Sequence, residues 1–65
     1  MRLTDFWWRM NEHYGPAWAA SYARDTVISG LGGRTIEQAL AAGDSVKDVW
    51  RATCIHDPSI PTSLR

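Results

Sequence analysis

Cysteine is scarce in this sequence, with Cys54 the only one among 65 residues. A single thiol excludes a disulfide within the chain and removes the cysteine sets on which most structural zinc sites are built. A chain of this length buries only about 60% of its unfolded surface, and many such domains depend on disulfides or metals for stability. We expect neither here, and no cofactor, so the stability has to come from packing.

An excess of charge of either sign is also missing. Seven basic residues are balanced by seven acidic ones, which gives a formal net charge of zero. Dedicated nucleic-acid binders usually carry a basic excess, because neutralising phosphates supplies much of their affinity. The balance therefore lowers the expectation of DNA binding without removing it.

Long hydrophobic runs are absent too. No apolar stretch approaches the roughly 20 residues that a membrane span requires. Met1-Arg2-Leu3-Thr4 leads directly into an amphipathic pattern, so we expect no signal peptide. Together with the single free thiol, these features predict a protein of the reducing cytosol with no membrane contact.

Aromatic residues, by contrast, are abundant. Each of these rings can bury about 150–250 Å². Either all of them form the core, or some of them form an interface. They are Phe6, Trp7, Trp8, Tyr14, Trp18, Tyr22 and Trp50.

Two helices are predicted in the first half of the chain. The first covers 5–14, with Thr4 as its N-cap and a glycine directly after it. The second covers 16–29 and opens with Pro16, since proline suits the first helical position. The apolar stripe of the first helix consists of Leu3, Phe6, Trp7, Met10 and Tyr14.

Two shorter helices are predicted in the second half. Thr35 and Gln38 have the spacing of a capping box at the start of a helix over 36–42. Ser45 opens the last helix, over 46–56, in the same way. Strand signals are absent, because no segment alternates between apolar and polar residues.

The predicted fold is therefore all-α, a compact bundle of four short helices whose last two are arranged like a helix-turn-helix. We predict a single domain over 1–58 and a short C-terminal tail over 59–65 that is extended or partly ordered. Trp7 and Trp50 lie on inner stripes and should belong to the core.

Two short motifs, Leu31-Gly32-Gly33-Arg34-Thr35 and Ala39-Leu40-Ala41-Ala42-Gly43, stand within a pattern that spans nearly the whole chain. Through them the sequence resembles a family of very short actinobacterial proteins that is a domain of unknown function. The resemblance implies a small helical fold. Members are often encoded beside the recombinase of homologous repair, which hints at DNA metabolism, and the family supplies no catalytic residues to transfer. The sequence departs from the family pattern over 60–65, where a more helical ending is expected.

A helix-turn-helix from residue 35 to residue 52 would bind DNA through its second helix. In this interpretation Lys47 and Arg51 face the DNA and Arg34 contacts a phosphate. Asp44 and Asp48 oppose it, because they place negative charge at the end that would enter the groove. Two short capped helices joined by a glycine also occur as ordinary packing, so DNA binding is the second hypothesis.

Catalysis has little support in the sequence. Cys54, His56 and Asp57 lie close together, but Cys54 falls beside an inner stripe, where a buried inert thiol is the default. Glu12 and His13 lie on a face that should be solvated. The two histidines and Cys54 match no structural zinc spacing. We therefore predict that the protein is not an enzyme.

The leading hypothesis is an interaction module that binds another protein through an aromatic surface formed by Trp8, Trp18 and Tyr22. Trp8 lies off the apolar stripe of its helix, and tryptophan is prominent among interface anchors. The alternative for Trp8 is a hydrophobic staple with Leu3 around Thr4. We expect at least one of Trp8 and Trp18 to be exposed, while the partner and the oligomeric state stay open.

Overall fold

The computed structural model describes residues 1–65, most of which lie in helices. Two very short antiparallel strands and two turns of 3-10 helix complete the fold, so the expected helical character is confirmed but the absence of strands is wrong. The elements are α1 (Leu3–Tyr14), α2 (Ala19–Asp25), β1 (Val27–Ile28), the 3-10 turn Ser29–Leu31, β2 (Arg34–Thr35), α3 (Ile36–Ala41), α4 (Val46–His56) and the 3-10 turn Thr62–Leu64.

Helix α1 begins earlier than predicted. Its N-cap is Arg2, and the carboxylate of Asp5 accepts a hydrogen bond from the Arg2 backbone N–H at 3.4 Å. Thr4 therefore lies inside the helix and is not its N-cap. The helix buries Phe6 and Met10 and ends at Gly15, whose φ of 88° suits glycine far better than other residues.

Helix α2 is shorter than the predicted 16–29 at both ends. Residues 16–18 form a turn, so Pro16 does not open the helix, which covers only Ala19–Asp25. The β-branched residues that follow it, Thr26, Val27 and Ile28, are compatible with extended backbone. Two of them form β1, which pairs with β2 in the register Val27 to Thr35 and Ile28 to Arg34. The segment predicted as the end of one helix is thus half of a small hairpin.

Two glycines close this hairpin. Gly32 and Gly33 follow the 3-10 turn with φ values of 69° and 78°, a region that side chains disfavour. Gly30 has a different role, since a Cβ placed there would lie 3.3 Å from the Cβ of Ala52 on α4. The hairpin and α4 are therefore in close contact.

The N-cap residues predicted in the second half are confirmed, but the capping box is complete only at α3. The N–H of Gln38 donates to Thr35 Oγ1 at 3.1 Å, and the Thr35 N–H donates to Gln38 Oε1 at 2.9 Å. The Asp48 N–H donates to Ser45 Oγ at 3.5 Å at the start of α4. Helices α3 and α4 pack together across a short turn that contains Gly43 at a φ of 89°.

The core is one apolar cluster to which every α-helix contributes. Trp50 is buried and meets Phe6 edge to face at 5.6 Å, so its predicted core position is confirmed. Trp7 is half-buried and packs against the edge of the same cluster. The buried members are Phe6, Met10, Ala19, Ala23, Ile28, Leu31, Ile36, Ala39, Val49, Trp50, Cys54 and Ile60.

The C-terminal segment 59–65 packs against the helices. Ile60 is buried in the core, and Leu64 packs against the core from outside. The Trp50 indole N–H donates to the Leu64 carbonyl at 3.0 Å, and Arg9 donates to the same carbonyl at 3.1 Å. No helix of this fold has both the length and the apolar character that crossing a membrane demands.

Candidate functional site

Two tryptophans project from the surface. Trp8 retains 57% of its exposure and Trp18 retains 70%. Trp8 lies two residues from each of the buried Phe6 and Met10, which at 100° per residue places it on the opposite side of α1. The expectation that at least one of these indoles is exposed is confirmed for both.

The staple interpretation of Trp8 is wrong. A hydrophobic staple joins residues that flank the N-cap, and here the N-cap is Arg2. Leu3 is the first residue of α1 and is itself about half exposed. No core contact therefore accounts for the Trp8 side chain.

Trp18 lies in the turn between α1 and α2. The Gly15 carbonyl accepts hydrogen bonds from the N–H groups of Trp18 at 3.1 Å and Ala19 at 2.9 Å, which fixes the turn. Trp18 is the N-cap residue of α2 but its side chain makes no capping bond. Its backbone is thus fixed by hydrogen bonds while its indole lies in solvent.

Tyr22 has a different environment. It is half-buried and stacks on Tyr14, with ring centroids 4.0 Å apart and an interplanar angle of 19°. This stack joins α2 to the end of α1. Of the three aromatic residues singled out in the sequence, Tyr22 therefore contributes to packing between helices.

The three proposed DNA contacts fall into two groups. Lys47 and Arg51 are exposed on α4, one turn apart. Arg34 is engaged elsewhere, since its Nε donates to the Leu31 carbonyl at 2.8 Å and its terminal nitrogens bind Asp44. The structure brings Lys47 and Arg51 together and holds Arg34 in a structural ion pair.

Sequence reasoning missed two further cations beside Lys47 and Arg51. Arg9 on α1 and Arg65 in the C-terminal segment line the same groove as these two residues. The groove has a volume of about 530 Å³. No local sequence signal could have revealed this groove, because its lining residues come from α1, α4 and the C-terminal segment, which meet only in the folded chain.

A polar cluster connects the ends of α1 and α4. Asp57 accepts hydrogen bonds from Tyr14 Oη at 2.7 Å and from Ser59 Oγ at 2.5 Å. Burial opposes ionisation of Asp57, but the bonds from Ser59 and Tyr14 and the nearby His13 outweigh it and lower its pKa to about 2. Burial, with Tyr22 and Asp57 nearby, raises the pKa of Tyr14. Asp57 is thus held as a carboxylate.

This cluster does not have the geometry of a catalytic triad. In a triad the carboxylate and the serine contact different nitrogens of the histidine. Here His13 Nε2 lies 3.2 Å from Ser59 Oγ and 3.5 Å from Asp57 Oδ2, so one nitrogen faces both partners. The serine hydroxyl donates to the carboxylate, which suits a structural turn after α4.

Cys54 is buried in the core, and burial raises the pKa of its thiol. A raised pKa reduces the reactive thiolate. His56 is exposed on the following turn. No three histidine, cysteine or acidic side chains converge on a position that could hold a metal ion.

Comparison with known proteins gives one match. The model of a family described as "Protein of unknown function (DUF3046)" matches residues 1–63. Neither the curated proteins nor the solved structures contain a match.

Proposed function

Since the chain belongs to the DUF3046 family, whose description assigns no activity, we propose from its surface that it is a non-enzymatic interaction module that binds another protein through Trp8 and Trp18. The observation that carries this proposal is the exposure of both indoles, 57% and 70%. The core of twelve residues contains neither of them.

Exposure of these side chains favours association. Removing apolar surface from water contributes about 25 cal/mol per Å², so an indole that enters a partner's pocket adds substantial affinity. Tryptophan is enriched among the few residues that dominate binding energy. Trp8 lies on α1 and Trp18 lies in the turn that follows it, so each indole is tested by its own variant.

The non-enzymatic part of the proposal is supported by the chemistry of the candidate groups. The thiol of Cys54 is buried, and burial raises its pKa. His13 presents a single nitrogen to both Ser59 and Asp57. Neither arrangement supplies an activated nucleophile.

The experiment compares the wild type with Trp8→Gln and Trp18→Gln, each tagged and used to capture proteins from an extract of the native cell. Both variants should keep the wild-type melting temperature within about 2 °C, because neither side chain contributes to the core. At least one should lose a protein that the wild type retains. The captured protein is then purified and its affinity measured by calorimetry.

Val27→Gln is the matched control, since Val27 is exposed to 58% but belongs to the hairpin. Loss of capture by Trp18→Gln but not by Val27→Gln supports a specific anchor. Equal capture by all three variants contradicts the proposal. Sedimentation of the wild type tests whether the partner is a second copy of the chain.

DNA binding is the second candidate function. The exposed pair Lys47 and Arg51 favours it, whereas the ion pair of Arg34 with Asp44 counts against a phosphate contact by Arg34. Affinity for duplex DNA should fall steeply with salt and should weaken on replacing Lys47 and Arg51 by alanine. Absence of a band shift at low salt contradicts this candidate.

A further inference from the structure

A groove lies where the start of α1, the outer face of α4 and the C-terminal segment meet. Its volume of about 530 Å³ falls in the range of about 300–1,000 Å³ typical of ligand sites. Its charged lining consists of Asp5, Arg9, Lys47, Arg51 and Arg65.

The groove concentrates positive charge in a chain that is neutral overall. It contains four of the seven basic residues but only one of the seven acidic residues. The remaining surface therefore has three basic and six acidic residues. The net charge of zero is therefore the sum of a positively charged groove and a remaining surface with an excess of acidic residues.

Neither Arg9 nor Arg65 forms an ion pair with an Asp or Glu side chain. Arg9 donates to the main-chain carbonyl of Leu64 and to the main-chain oxygen of Arg65, the last residue of the sequence, while Arg65 donates to the carbonyls of Ile60 and Pro58. The carbonyl oxygens of Leu64, Ile60 and Pro58 carry no net charge, so they position the guanidinium groups without neutralising them.

The two cations of α4 are also available. Lys47 forms no ion pair. Arg51 lies 3.9 Å from Asp48, and both side chains are more than 60% exposed, so this pair contributes little. An approaching anion competes with water for Lys47, and with water and this weak exposed pair for Arg51.

The uncharged residues of the lining indicate which class of anion, a nucleic acid or a peptide with carboxylates, fits the groove better. Ile55 and Met1 are exposed to 75% and 42% and give the groove an aliphatic surface. Trp50 is the only aromatic residue in the lining, and it is 3% exposed, so it offers no ring face on which a base could stack. Aliphatic contacts beside arginines suit carboxylates that flank an apolar side chain.

We propose that this groove binds an acidic peptide segment of a partner protein, with an aliphatic side chain against Ile55 and Met1 and carboxylates on Arg9, Lys47, Arg51 and Arg65. This site lies apart from the tryptophans of the proposed function, neither of which lines the groove. The two binding proposals can therefore be tested independently of each other.

The test uses a blocked synthetic peptide with a central leucine flanked by glutamates, titrated into the protein and followed by NMR of the Ile55 and Met1 methyl groups. Binding should shift both methyl signals and should weaken with added salt. Replacing both Lys47 and Arg51 by glutamine should weaken it at least about tenfold, because these charges face the ligand directly.

Three controls make the result specific. Arg24→Gln removes an exposed cation outside the groove and should leave the affinity unchanged. A peptide with glutamine in place of glutamate should not bind. Trp18→Gln should bind the acidic peptide like the wild type, which separates this site from the proposed function.

The proposal is overturned if the acidic peptide does not shift the methyl signals, if the glutamine peptide binds equally well, or if the double variant keeps its affinity. Tighter binding of duplex DNA than of the peptide at equal salt, lost in the same double variant, would assign the groove to nucleic acid instead. Circular dichroism of each variant confirms that it is folded.

Discussion

Both terminal nitrogens of the Arg34 guanidinium donate hydrogen bonds to the carboxylate of Asp44, and its Nε donates to the carbonyl of Leu31. One side chain thus joins β2, the 3-10 turn before it and the turn between α3 and α4. The DNA-binding hypothesis assigned this arginine to a phosphate, but three of its five N–H donors are already used within the fold.

Replacing Arg34 by lysine should destabilise the protein although the charge is kept. Lysine cannot form a two-point contact with Asp44 and also donate to Leu31. We expect the free energy of unfolding to fall by roughly 1 kcal/mol, since the pair is partly exposed. Urea denaturation measures the change. Arg24→Lys, in a more exposed pair with Asp25, is the control and should change little; an equal loss there would contradict the explanation.

Trp50 should be the most sensitive aromatic position. Trp50→Ala removes a buried side chain and should cost about 3–5 kcal/mol, which approaches the total stability of a domain this small. Trp50→Phe keeps part of the packing but loses the hydrogen bond to Leu64, so its loss should be smaller. Thermal unfolding checks both, and a cooperative transition of Trp50→Ala near the wild-type temperature would be incompatible with its burial.

Tyr14→Phe isolates the hydrogen bond to Asp57. Because the acceptor is a carboxylate, its loss should cost about 1.5–3 kcal/mol, while the stack on Tyr22 is retained. In a double-mutant cycle with Asp57→Asn, the two losses should not add. Strict additivity in urea denaturation would show that the hydroxyl and the carboxylate act independently.

Acid should destabilise the fold through Asp57. Its pKa is lowered from 3.8 to about 2 in the folded protein, so its contribution is fully present above pH 3.8 and is lost as the pH falls towards 2. Asp57→Asn should be less stable at neutral pH and should lack this part of the acid dependence. Urea midpoints across this interval test it, with Asp25→Asn as an exposed control that should follow the wild type.

The local signals of the sequence were sufficient for three of the four helices. Capping residues identified the starts of α3 and α4, and the apolar stripe identified α1. Each of these signals acts within a few residues of the element that it defines, so none of them depends on distant contacts.

The hairpin could not be predicted in this way. Val27 continues the helical spacing of the alanines before it, and its partner strand is only two residues long. The pairing depends on Gly32 and Gly33 turning the chain and on Ile28 entering the core. These are tertiary effects that outweigh local helical periodicity.

The groove could not be predicted from the sequence either, because it too depends on the folded arrangement. Arg9 and Arg65 are far apart in the chain and are brought together only by folding. The overall balance of charge also concealed their grouping. By contrast, the position of Trp8 off the apolar stripe of α1 indicated that it could be exposed, with the staple on Leu3 as an equal alternative that the N-cap at Arg2 then overturned.

The contacts between Arg9 and residues 64 and 65 span 55 and 56 positions of the chain. During synthesis, therefore, α1 leaves the ribosome long before the segment that supplies Ile60 to its core. Helical structure can form early, because its contacts are local, but the core stays incomplete until the final residues of this fold are free of the exit tunnel. Over that interval the core cluster lacks Ile60, so the nascent chain exposes apolar surface that the complete fold buries and is a candidate for chaperone contact.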